Sequence, residues 1–137
     1  MTRNALFSLL AVTLAGTVVL AYSNHFGNGF HFDDSHVIEQ NLHIRSVRNI
    51  PAFFTDATSF SALPANQSYR PVLSSFFAIA YQAGGGSPFG FHLMAFFWYG
   101  ALGLLLYLLF RRVFGISRSN VGSDFVALPA TGLYLLH

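Results

Sequence analysis

Two long apolar runs without a charge constrain this chain more than any other feature. Ala5–Tyr22 has 18 residues and Phe89–Phe110 has 22, and neither contains Asp, Glu, Lys or Arg. As helices rising about 1.5 Å per residue they would be roughly 27 and 33 Å long, close to the ~30 Å of a bilayer's hydrocarbon core. A third apolar run, Phe125–His137, has 13 residues, fewer than a span needs. Composition supports lipid as the solvent. Only 9% of the 137 residues are charged, against about 25% in an ordinary soluble domain, and the 16 Phe outnumber all charged side chains. The chain has no Cys, which removes disulfides, thiolate metal sites and thiol catalysis. Its net charge of +2 comes from scattered Arg rather than a basic face, so nucleic acid is not an expected partner.

The expected fold is an all-α integral membrane protein, multi-pass, with short helices in its first outer loop. Arg3 precedes the first run, and Arg111, Arg112 and Arg118 follow the second. The positive-inside rule then places the N-terminus in the cytoplasm. The expected layout is residues 1–4 cytoplasmic, 5–22 a first transmembrane helix and 23–87 an outer, periplasmic or lumenal loop. Residues 88–110 form a second transmembrane helix, 111–124 a cytoplasmic loop, and 125–137 the start of a third helix cut short. A cleavable signal peptide ending near Val19-Leu20-Ala21 is the rival reading of the first run, but 18 apolar residues are long for that role. Within the loop, Val72–Ala83 has helical spacing behind Pro71, a residue suited to a first helical position, and Gly84-Gly85-Gly86 ends it. A helix this short is expected at the membrane interface or packed on the spans. A second short helix is expected over Val47–Phe54, with Pro51 obscuring its register.

The loop also carries the residues able to do chemistry. Asp33 and Asp34 are adjacent carboxylates shortly after the first span, a candidate general base for a hydroxyl acceptor. A structural reading competes: Asp33 as a helix N-cap, Phe32 and Val37 as a hydrophobic staple, and Asp34 in the first turn facing the helix dipole. The two readings are compatible. Arg70, before Pro71, can bind a phosphate through paired N–H groups, or can pair with Asp56 or Glu39. His25, His31, His36, His43 and His92 lack the i, i+4 spacing of a zinc site, so no metal site is expected. His92 is expected near the outer end of the second span, bonding within the protein. In that span Trp98 and Tyr99 suit helix packing, with Gly100 and Gly103 allowing close approach. Asn66-Gln67-Ser68 fits an N-glycosylation triplet.

The order of these features resembles the N-terminal part of polytopic GT-C glycosyltransferases. The residues that carry the likeness are Gly29-Phe30-His31-Phe32-Asp33-Asp34, then Ile38 and Asn41-Leu42-His43-Ile44, Tyr69-Arg70-Pro71, and Pro88-Phe89-Gly90-Phe91-His92-Leu93. Within that fold the chain resembles the transmembrane and tetratricopeptide-repeat O-mannosyltransferases and their bacterial relatives. The resemblance implies a truncated GT-C-like bundle that moves a mannose-type hexose from a polyprenyl-phosphate carrier to a protein or glycan hydroxyl on the outer face. It implies an inner-membrane protein in a bacterium, or an endoplasmic reticulum protein in a eukaryote. It places the base at Asp33 or Asp34 and substrate binding at Arg70 and His92. No cofactor is implied, and a divalent metal stays open. Relatives often carry Asn and His in the second span where this chain has Ala95, Tyr99 and Gly103. The alternative is a small non-catalytic membrane protein whose outer loop docks a partner.

Overall fold

A computed structural model describes residues 1–117 and 122–137; Arg118, one of the orienting arginines, lies outside them. Every regular element among the described residues is helical. The chain divides into two compact units, Met1–Asn24 with Phe96–His137, and His25–Ala95.

The first unit contains helix α1 (Arg3–Ala21), most of a long helix α4 (Pro88–Ser117), and helix α5 (Ser123–Leu136). Thr2 caps α1, its hydroxyl oxygen accepting the Ala5 N–H at 3.3 Å. Helix α4 runs past the expected boundary at Phe110, through Arg111 and Arg112. Arg is a strong helix former and no proline intervenes, so the helix outlasts the apolar run. Two helices, within Arg3–Gly27 and Pro88–Ile116, are long and apolar enough to cross a membrane. Only 6% of each one's apolar window is buried inside the protein, whereas the core helix of a water-soluble fold would be mostly buried.

Small residues let the helices approach. A Cβ on Gly132 would stand 3.0 Å from Leu14 Cδ1, joining α5 to α1, and one on Gly103 would stand 2.9 Å from Leu135 Cδ1, joining α4 to α5. A Cβ on Gly100 would meet nothing within 4 Å beyond its own helix among the described residues, so of the pair it is Gly103 that makes the close approach. The Tyr99 hydroxyl donates to Leu135 O at 3.0 Å and lies 3.2 Å from the Tyr22 hydroxyl. Because its proton is committed to the carbonyl, Tyr22 is the donor of the second bond.

The second unit is built around helix α3 (Pro71–Gly84), with Pro71 in its first turn as expected. Gly85 ends the helix in the left-handed region at φ +63°, where its N–H bonds Tyr81 O at 2.8 Å. Helix α3 packs on the loop's own turns: His43–Arg45, Val47–Asn49, Ala57–Phe60 and the short helix α2 (Ile50–Phe53). The expected Val47–Phe54 helix therefore forms in two pieces, a 3-10 turn followed by α2 with Pro51 near its start. Ile44, Phe53, Phe60, Ala78 and Phe91 are buried together in the core. Asn41 is the buried polar residue that ties the loop together. Its Nδ2 donates to Val37 O, Ser59 O and Phe60 O at 3.0–3.3 Å, and its Oδ1 accepts the His43 N–H at 2.9 Å.

Candidate functional site

The site forms in the second unit, where the chain reverses between His31 and Ser35. Phe32 adopts φ +49°, a left-handed conformation uncommon for a bulky residue, and the residue is 97% exposed. Two hydrogen bonds fasten the reversal: Asp34 N–H to His31 O, and His31 N–H to Asp34 Oδ2, both at 3.0 Å. The Ser35 hydroxyl adds a bond to Phe32 O at 3.2 Å.

This geometry distinguishes the two acids. Asp34 uses its carboxylate to close the turn. Asp33 uses only its backbone, its carbonyl accepting the N–H groups of His36 and Val37, and leaves a carboxylate that is 82% exposed. The expected capping arrangement is not what forms. Asp33 makes no side-chain cap, and Phe32 faces away while Val37 is buried, so the staple is absent. The left-handed residue rotates Phe32 out of reach of Val37.

His36, weighed in the sequence only as a metal ligand, stands beside Asp33, with Nε2 3.4 Å from Asp33 Oδ1 and its side chain 13% exposed. Its Nδ1 is 2.9 Å from Ser61 Oγ, and its Nε2 is 2.9 Å from Asn66 Nδ2. With the Asn66 amide nitrogen donating, Nε2 is the acceptor and Nδ1 carries the proton it gives to Ser61. Ser61 in turn bonds the backbone of Leu63. A backbone bond from Ala62 N–H to His36 O, at 2.9 Å, holds the same two segments together. His36 is thus oriented from both sides, with its ring beside the Asp33 carboxylate. The signal present in the sequence was its position three residues after Asp33.

Arg70 sits at the N-terminal boundary of α3, its guanidinium carbon 5.0 Å from the centre of the Phe60 ring. Neither Asp56 nor Glu39 pairs with it, and among the described residues no carboxylate lies within 4 Å of it. Asp56 instead caps the turn Ala57–Phe60. The Thr58 hydroxyl, at 2.6 Å, and then the Thr58 N–H, at 2.9 Å, hold its carboxyl below the usual aspartate value. Among the described residues the Arg70 guanidinium thus has no ion-pair partner.

Asp33, His36, Asn66 and Arg70 line one cleft of about 440 Å³, walled on its apolar side by Phe60, Leu73 and Phe77. That volume is within the range of small-molecule sites. His92 does not line it. Its Nε2 bonds Asn28 O at 3.1 Å, His25 Nε2 bonds His92 O at 3.3 Å, and the two rings meet edge to face with centres 4.4 Å apart. The structure gives His92 the internal bonding expected of it and leaves it outside the lining of this cleft. Among the described residues no three His, Asp or Glu side chains converge as a metal site would require. A carboxylate and a guanidinium facing one cleft can accept a proton at one side and hold a phosphate at the other.

No protein-family model matches this chain, and no curated protein or solved structure matches it.

Proposed function

We propose that this chain is the front part of a membrane glycosyltransferase of the GT-C type, with α1 and α4 crossing the bilayer and the His25–Ala95 unit on the outer face. Arg3, Arg111 and Arg112 flank the apolar runs on the side that would be cytoplasmic. The donor is a hexose on a polyprenyl phosphate and the acceptor a hydroxyl of a protein or glycan. The observation that carries this reading is the meeting of Asp33 and Arg70, distant in sequence, in a single cleft.

The step follows from the chemistry of the two groups. Asp33 accepts the proton of the acceptor hydroxyl as its oxygen bonds to the anomeric carbon. The bond from that carbon to the phosphate oxygen breaks, and Arg70 stabilises the charge gathering on the departing phosphate. Asp34 acts through the turn it closes, so Asp33 is the base.

The test is a transfer assay with the longest chain its gene encodes, in membranes supplied with a polyprenyl-phosphate hexose. Asp33→Asn is expected to lower turnover by about a hundredfold or more, the scale of losing a positioned general base. Asp34→Asn, whose amide oxygen can still accept the His31 N–H, retains most activity, and Arg70→Gln weakens donor use. Full activity in Asp33→Asn refutes the assignment. An active Asp33→Asn with an inactive Asp34→Asn moves the base to Asp34.

A further inference from the structure

The end of α4 and the start of α5 enclose a second cleft, within the first unit, that glycosyl transfer leaves unused. It has a volume of about 550 Å³ and is lined by Leu108, Leu109, Arg111, Arg112 and Ser123. Leu108 and Leu109 are substantially exposed, so one wall is bare hydrocarbon. The other end is cationic. Arg111 gives its Nε to Asp124 Oδ1 at 2.7 Å, and the same oxygen accepts the Tyr107 hydroxyl at 2.8 Å. That contact uses one of the five N–H groups of Arg111 and neutralises a single charge. Arg112 has no carboxylate within 4 Å among the described residues. Two guanidinium groups against one carboxylate leave the cleft with a net positive charge, next to an apolar wall.

An occupant must therefore be anionic at one end and hydrocarbon at the other. We infer that the cleft binds the headgroup phosphate of an anionic phospholipid, held by Arg112, the remaining N–H groups of Arg111 and the Ser123 hydroxyl, with an acyl chain along Leu108 and Leu109. The charges match, since an Arg fork and a hydroxyl suit phosphate oxygens. The position matches as well: the charged end follows directly on the apolar run of α4, where a helix leaving hydrocarbon reaches the headgroups. This inference rests on α4 crossing a bilayer and is independent of sugar transfer.

The experiment places the chain in nanodiscs of phosphatidylcholine mixed with phosphatidylglycerol and reads lipid retained on the released protein by native mass spectrometry. Phosphatidylglycerol is expected to be retained over phosphatidylcholine, and Arg112→Gln to lower that retention about fivefold, the scale for one basic residue at an anionic surface. Arg3→Gln removes the same charge elsewhere and leaves retention unchanged. Leu109→Ser, which alters no charge, also lowers retention and covers the case in which Arg112→Gln disturbs the helix end. Equal losses in Arg3→Gln and Arg112→Gln, or no loss in Arg112→Gln, would overturn the site. Displacement of the lipid by inorganic phosphate assigns a free anion instead and overturns the lipid. A chain that does not enter nanodiscs overturns the site along with the membrane reading, whereas an inactive transfer assay leaves it standing.

Discussion

Replacing Asn41 by Ala tests how the His25–Ala95 unit is held together. The side chain is fully buried and satisfies four backbone groups: the carbonyls of Val37, Ser59 and Phe60, and the N–H of His43. Val37 O lies within the helical turn Ser35–Glu39 and at 3.3 Å is the longest contact, so its loss costs least. Ser59 O and Phe60 O, 18 and 19 residues away, lose the donor that links their segment to the Asp33–His43 loop. Leaving a buried polar group unpaired costs about 1–3 kcal/mol. Two such groups, with some relief from water entering the smaller side chain's space, give a loss of about 3 kcal/mol. If that loss is local, hydrogen exchange across residues 35–62 should accelerate about a hundredfold, at roughly 1.4 kcal/mol per factor of ten. Exchange in α1 and in α4 beyond Phe96 should not change. The assay is exchange followed by mass spectrometry on the detergent-solubilised chain. Asn41→Asp sharpens it, because an ionised carboxylate would face three carbonyl oxygens. That variant should be worse than Asn41→Ala at neutral pH and recover as acid protonates it. Unchanged exchange over residues 35–62 in Asn41→Ala would refute the reasoning.

Two other outcomes follow from the same geometry. Because Thr58 holds the Asp56 carboxyl below its ordinary value, Asp56 adds stability to the turn Ala57–Phe60 that is fully present above the unfolded value. That contribution disappears as pH falls through the depressed folded value. The Thr58 amide resonance should therefore shift with acid, and the shift should vanish in Asp56→Asn; a shift that persists in the variant contradicts the assignment. Gly103→Val should destabilise the α4–α5 contact by about 1–3 kcal/mol through overpacking, because a Cβ there already meets Leu135 at 2.9 Å. Adding Leu135→Ala should restore part of the loss in a thermal melt, and a double variant no more stable than Gly103→Val rules that contact out.

What could be read from the sequence was what depends on local pattern. The long helices followed from charge-free runs, and α3 from helical spacing between Pro71 and Gly85. The overreach of α4 beyond Phe110 was missed because the end of an apolar run marks where hydrocarbon surface stops, while a helix stops at a cap or a breaker. Asp33 and Asp34 could not be told apart because their difference hangs on Phe32 at φ +49°, a conformation no rule assigns to phenylalanine. The pairing of Asp33 with Arg70 in one cleft, and the bonds from Asn41 to Ser59 and Phe60, depend on tertiary folding of the loop. Gly100 and Gly103 show the same limit: the spacing marks both, and only the neighbouring helix selects one.

The division of the chain has a consequence for its synthesis. His25–Ala95 is one uninterrupted stretch, so every residue that its contacts need has been made once residue 95 is added. The other unit is assembled from two pieces separated by those 71 residues, 25 to 95. At about 5–20 residues per second, roughly 4–14 s pass between the appearance of Asn24 and that of Phe96. Through that interval Leu14 waits for the backbone of Gly132, and the Tyr22 hydroxyl waits for Tyr99. The unit with the longest apolar helices is thus the last to close, and α1 spends those seconds without the partners it has in the finished fold.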